Sequence, residues 1–310
     1  MACKTTKKPL KPACTSTPSP APYKPKPSTN ILAAVQFFHP GHECPKNRIK
    51  GNIMPWNCTS RHNRKFMKAE GVYLNDGKPV SGELNFWGEW EPDSRVTFLG
   101  PGSPTQLHEP FLRISKNGSV IVPKGAINTD PFVFDKHFYY CFCQQHTVKG
   151  PTIMNRLDKG SLILFGSYKH DAAGHYFALD TVYVVGDYRD FAEATYPNDL
   201  AGFIPKHYDE IMQFNPKQRV PFRCYKGASF SNPVDGMYSF VPCKLDGAPK
   251  FERVKLTAGV IPQLSVNQTQ GRKNLVIADK KQIKAIWDAV RNEAKAQGYL
   301  EGIEFTYKII

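Results

Sequence analysis

The apolar residues of this chain come in short runs of strand length, each closed by glycine, proline, asparagine or aspartate. Such runs fit half-buried or fully buried strands and leave no room for long helices. One stretch alone, 280–297, has the period of an amphipathic helix. Ile283, Ile286, Trp287, Val290 and Ala294 form its apolar stripe, Asp279 is placed to cap it and Gly298 to stop it. The 12% aromatic content and the 26 prolines point the same way. The expectation is a β-rich α+β fold. It has mixed or antiparallel, barrel-like sheets, few helices and one C-terminal amphipathic helix.

The clearest strand pair is 159–167 followed by 176–185, and a second apolar run, 31–38, leads into His39-Pro40-Gly41-His42-Glu43-Cys44. Asn75-Asp76-Gly77-Lys78 reads as a hairpin turn before a strand through 84–92. Further strands are expected near 111–114, 119–122, 132–134, 137–145, 224–229, 235–243 and 303–310, and a short helix near 207–214. Residues 1–30 hold six lysines and no acid among many prolines, serines and threonines, and are expected to form a disordered basic tail. The rest, 31–310, reads as one large β-rich domain, with 187–221 the one place where the pattern weakens enough to divide it.

The formal net charge is +14 and the pI near 9.3, a field that favours polyanions. Without the six tail lysines the remainder still carries +8. None of the eight cysteines forms a Cys-x-x-Cys pair, so no ordinary zinc ribbon is written here, and buried free thiols are the expected state. No apolar run approaches the ~18 residues of a membrane helix. The reading is a cytoplasmic protein with no membrane contact and no cofactor called for by any motif.

Three groups of residues carry candidate chemistry. In the strand at 84–92, alternation puts Leu84, Phe86 and Trp90 on one face and Trp87, Glu89 and Glu91 on the other. The second face offers an aromatic plane and two carboxylates about 6.6 Å apart along the strand. In 61–68, Arg61, His62, Arg64 and Lys65 lie between Trp56 and Phe66, charge for phosphates beside flat faces for stacking. His39, His42 and Glu43 form a loop that could hold a metal. Asp180, flanked by apolar residues on its strand face, is either buried with a partner or lines a pocket.

The segments Phe86-Trp87-Gly88-Glu89-Trp90-Glu91-Pro92-Asp93 and 159–167 with 177–185 together resemble the PUA-like superfamily, and within it the EVE-type domains. The resemblance covers roughly a third of the chain. It implies a small β-barrel that reads a single, modified or flipped base in an aromatic pocket, with Trp87, Glu91 and Ser167 as the matching positions.

The leading functional expectation is binding of a nucleic acid or nucleotide, including one with a modified base. Arg61, Arg64 and Lys65 would hold phosphates, Trp56 or Trp87 would stack the base, and Glu89 or Glu91 would accept from an exocyclic amine. The first alternative is an enzyme that cleaves a nucleotide or N-glycosidic bond with Glu89 and Glu91 as paired carboxylates. The second is a metal-dependent hydrolase built on His39, His42 and Glu43.

Overall fold

A computed structural model of the chain describes residues 29–59, 61–192, 196, 198–212 and 221–310. The expected tail at 1–30 lies almost wholly outside the described residues. In chain order the strands are β1 (Ala33–Phe38), β2 (Ile53–Met54), β3 (Lys65–Asn75), β4 (Lys78–Gly88), β5 (Ser94–Phe98) and β6 (Gln106–Leu112). They continue with β7 (Tyr139–Tyr140), β8 (His146–Thr147), β9 (Gly150–Pro151), β10 (Leu162–Asp171), β11 (Gly174–Phe191) and β12 (Phe222–Gly227). The last are β13 (Val241–Leu245), β14 (Val254–Leu256), β15 (Gly271–Ile277), β16 (Leu300–Phe305) and β17 (Lys308–Ile309). The two α-helices among the described residues are α1 (Lys206–Ile211) and α2 (Lys280–Ala296).

The strands make two main mixed sheets. The first runs β15-β1-β10-β11-β12-β7, with β14 on the side of β11. Its β1 pairs parallel to β10 and antiparallel to β15. The second runs β16-β13-β4-β3-β6-β5-β2, and an added β16–β3 pairing closes β3, β4, β13 and β16 into a ring. The β3–β4 hairpin turns at Asp76 and Gly77, both in the left-handed region that such a tight turn requires.

The first sheet is the middle of three layers, and its sequence says why. Val35, Phe37, Ile163, Phe165 and Tyr183 face the second sheet and pack with Met67, Leu84, Phe86 and Trp90. The alternating residues Ala34, Phe38, Leu162, Leu164, Val182 and Val184 pack under α2 through Ile283, Ile286, Trp287 and Val290. A strand buried on both faces is nearly continuous in apolar residues, the pattern of 31–38 and 160–165 apart from the buried Gln36 and Ser161. The Asp279 carboxylate caps α2 by accepting from the Gln282 amide at 2.9 Å. No helix among the described residues is long and apolar enough to cross a membrane.

Two local expectations fail for a shared reason. The strand expected through residue 92 stops at Gly88, and the one expected over 137–145 is reduced to Tyr139–Tyr140. In both places backbone groups that would join a ladder bond elsewhere. The Glu91 amide donates to Thr129 Oγ1, and the Asn57 amide donates to the Glu91 carbonyl. The amides of Cys141, Phe142 and Cys143 all donate to the Asp130 carboxylate. Those diversions build the polar cluster described next.

Candidate functional site

The cluster forms where chain segments leave the sheets side by side. His39 follows β1, Arg64 precedes β3, and Glu89 and Glu91 follow β4. Asp180 sits within β11, where the register with β10 slips: Phe165 pairs with Thr181 but Gly166 pairs with Leu179. Asp180 is the extra residue of that bulge, a usual way to re-aim a side chain. Only glycine fits at 166, because a Cβ there would lie 2.4 Å from the Ala178 carbonyl oxygen.

Arg64 is fully buried and pairs with Glu89 Oε2, with Asp180 Oδ2 at 3.6 Å on its other side. Burial alone would lower the Arg64 pKa, but Glu89 and Asp180 outweigh it and the guanidinium stays charged. Arg253, also buried, donates to Asp180 Oδ1 at 3.0 Å and to Ser167 Oγ at 2.8 Å. Burial likewise pushes Glu89 upward, yet the facing His62 and Arg64 charges hold it well below the usual carboxylate range. Glu89 Oε1 takes one more bond, from the Asp130 amide at 3.0 Å. Burial lifts Asp130 itself to about 6 against the three amides that favour its charge.

Two histidines form the outer edge of this cluster. His62 Nδ1 lies 2.9 Å from Glu89 Oε1 and 3.0 Å from Glu91 Oε1. The Glu89 charge is the main reason its pKa rises to about 10, so at neutral pH the ring is an imidazolium. His39 is the opposite case. Burial, and then Arg64, push its pKa well below the ordinary value, and the ring is neutral. Arg64 NH1 stands 3.2 Å from His39 Nδ1. A guanidinium can only donate, so Nδ1 accepts and the ring proton sits on Nε2. That Nε2 is buried and has no hydrogen-bond partner. An unmet buried donor costs about 1–3 kcal/mol, a cost that a ligand acceptor would remove. The two rings lie 6.4 Å apart at an interplanar angle of 24°.

Both histidines line one cleft of about 1090 Å³ with Arg48, Arg61, His42 and Gln144 among its walls. Its one carboxylate, Glu43, is already bonded: it accepts from the Thr105 amide and hydroxyl and from the Gln106 amide. The cleft therefore offers hydrogen-bond donors and positive charge, and its one carboxylate is already engaged.

The residues expected from sequence are divided by the fold. His39, His62, Arg64, Glu89, Glu91 and Asp180 converge, and Ser167 joins them through Arg253. Arg61 is exposed and lines the cleft. Arg64 and Lys65 are not phosphate contacts as expected: both are buried, and Lys65 Nζ donates to the Trp90 carbonyl. Trp87 keeps 3% of its surface, its ring set against Phe66 and the Arg253 guanidinium and its indole nitrogen donating to Phe251. Trp56 is 7% exposed and donates to Ile127. Neither ring has an open face for a base.

Glu89 and Glu91 do not flank an open space. They converge from one side on the His62 ring, both almost fully buried. Nor do His39, His42 and Glu43 gather as metal ligands. Among the described residues the group of three donors close enough to hold a cation is His62, Glu89 and Glu91, within 4.8 Å of one another. In this arrangement the His62 proton occupies the space between them. Sequence reading missed Arg253 and Asp130. The first stands in an unremarkable Phe251-Glu252-Arg253-Val254 stretch, and the second reads as a turn former before Pro131.

No protein-family model, no curated protein and no solved structure matches this chain.

Proposed function

We propose that the protein binds a nucleic acid or a nucleotide by a phosphate group seated in the His39–His62 cleft. The observation that carries this reading is the buried, unpartnered His39 Nε2–H beside a His62 ring held as imidazolium by two carboxylates. A phosphate supplies acceptors in several directions, and one of them would meet the unpartnered His39 Nε2–H. Arg61 and Arg48 on the walls add charge where the anion would sit. The net charge of +14 favours the approach of a polyanion from solution. Cleavage by Glu89 and Glu91 is a weaker reading, because each carboxylate already holds His62 and neither is open to a substrate.

The test is a calorimetric titration of the full chain with a nucleoside, its monophosphate and its triphosphate at low and moderate salt. The nucleotides bind, the nucleoside does not, and affinity falls as salt rises. In His62→Ala or Arg61→Ala the nucleotide affinity drops about 10- to 100-fold, as expected for one charged hydrogen bond. Equal binding of nucleoside and nucleotide would contradict the reading. So would binding that ignores both substitutions and disappears when residues 1–28 are removed.

A further inference from the structure

The tip of the β10–β11 hairpin carries a cluster that the cleft does not use. Tyr168 and His170 are two apart on β10 and share a face, and His175 stands opposite His170 on β11. The Tyr168 and His175 rings are stacked, 5.5 Å apart at 26°. His170 lies 6.3 Å from Tyr168 and 6.0 Å from His175. The Tyr168 hydroxyl and His175 Nδ1 are hydrogen-bonded at 2.8 Å, which fixes the pair. Tyr168 is half-buried, and His170 and His175 are exposed. Three flat rings gathered on the open face of a hairpin contribute nothing to either core cluster.

Their position gives them a use. Tyr168, Lys169 and His170 line a second cavity of about 470 Å³. It shares His39, Pro40, His42 and Gln270 with the cleft that holds the proposed phosphate site. His39, Pro40 and His42 thus border both the proposed phosphate site and the cavity beside the rings. Together the two cavities exceed the roughly 300–1,000 Å³ of a single small-ligand pocket. Bases stack on exposed tyrosine and histidine rings with little regard for sequence, provided they are unpaired.

We propose that Tyr168, His170 and His175 form a stacking platform for an unpaired base, and that the ligand is a single-stranded RNA or DNA segment laid across both cavities. This rests on the phosphate reading of the neighbouring cleft. A duplex does not fit the platform, since its bases are paired inside the stack and offer no face to the rings.

The experiment compares a mononucleotide, single-stranded RNA and DNA tetranucleotides and a base-paired hairpin on the full chain. The variants are Tyr168→Ala and Tyr168→Phe. The tetranucleotides bind at least about fivefold tighter than the mononucleotide, and Tyr168→Ala removes that gain, a loss of about 5- to 150-fold. Tyr168→Phe keeps the ring and keeps the gain. The mononucleotide affinity is the same in all three proteins, and the hairpin binds more weakly than the open strands. The RNA and DNA arms show whether a 2′-hydroxyl is read. Tetranucleotide affinity unchanged in Tyr168→Ala, or a hairpin bound as well as open strands, overturns the platform. Loss of mononucleotide binding alone, with the Tyr168-dependent gain intact, overturns the phosphate site and leaves the platform standing.

Discussion

Replacing Glu89 by glutamine lowers the stability of this protein by about 3–5 kcal/mol, the usual consequence of removing one partner from a buried ion pair. The substitution preserves shape and removes charge. It leaves Arg64, with none of its side chain exposed, with Asp180 Oδ2 at 3.6 Å as its remaining salt-bridge partner among the described residues. It also puts an amide where Glu89 Oε1 now accepts from both His62 and the Asp130 backbone. Glu91→Gln costs less, since among the described residues the charged partner within salt-bridge range of Glu91 is His62, which keeps Glu89. Denaturant unfolding of the two variants beside the parent checks the order. A Glu89→Gln protein as stable as the parent would mean that the cluster is not held together by charge.

Raising the pH above neutrality destabilises the protein through His62. The folded pKa of about 10 stands above the roughly 6.5 of an unfolded histidine. A group raised on folding gives its full stabilisation below the unfolded value and loses it as pH rises through the folded one. Between about pH 7 and 10 the slope from this one proton is about 1 kcal/mol per unit, for a total of a few kcal/mol. Glu89 acts at the other end. Its folded pKa is depressed, so its contribution is present above the ordinary carboxylate range and fades as pH falls below it. Melting temperatures of the parent and His62→Gln, followed from pH 6 to 10, should converge as pH rises. Parallel curves would show that His62 carries no extra proton in the folded state.

Much of the fold was legible because burial writes a period into the sequence. The stripe and cap of α2 match, and so does the β10–β11 pair, whose mainly apolar runs lie under two covered faces. The Asn75–Lys78 turn needed backbone that Asp76 and Gly77 tolerate. What the sequence hid were backbone groups captured by side chains, as at Asp130, since a carboxylate that gathers three amides has no periodic signature. Of the residues expected from sequence the fold brings His39, His62, Arg64, Glu89, Glu91 and Asp180 together, though not in the arrangement their letters suggested. Arg61, Arg64 and Lys65 are alike as letters, and only the fold separates the exposed one from the two that are buried. Glu89 and Glu91 read as a catalytic pair, and the distance to His62 makes them the support of an imidazolium. Trp87 read as a platform, and Phe66 with Arg253 covers it. Three rings that gather at the surface, Tyr168, His170 and His175, are scattered through an unremarkable polar hairpin. They meet only because the strand register brings His170 opposite His175.

The central claim is that the cleft floor presents two ring N–H donors to an anion. Nitrogen-15 NMR of histidine-labelled protein at neutral pH tests it directly, with inorganic pyrophosphate added as the probe. The expected spectrum shows His39 as the neutral tautomer with its proton on Nε2, His62 as an imidazolium, and a shift of the His39 Nε2–H signal on addition of pyrophosphate. A His39 protonated on Nδ1, or a His39 signal unmoved while pyrophosphate binds elsewhere, would contradict it.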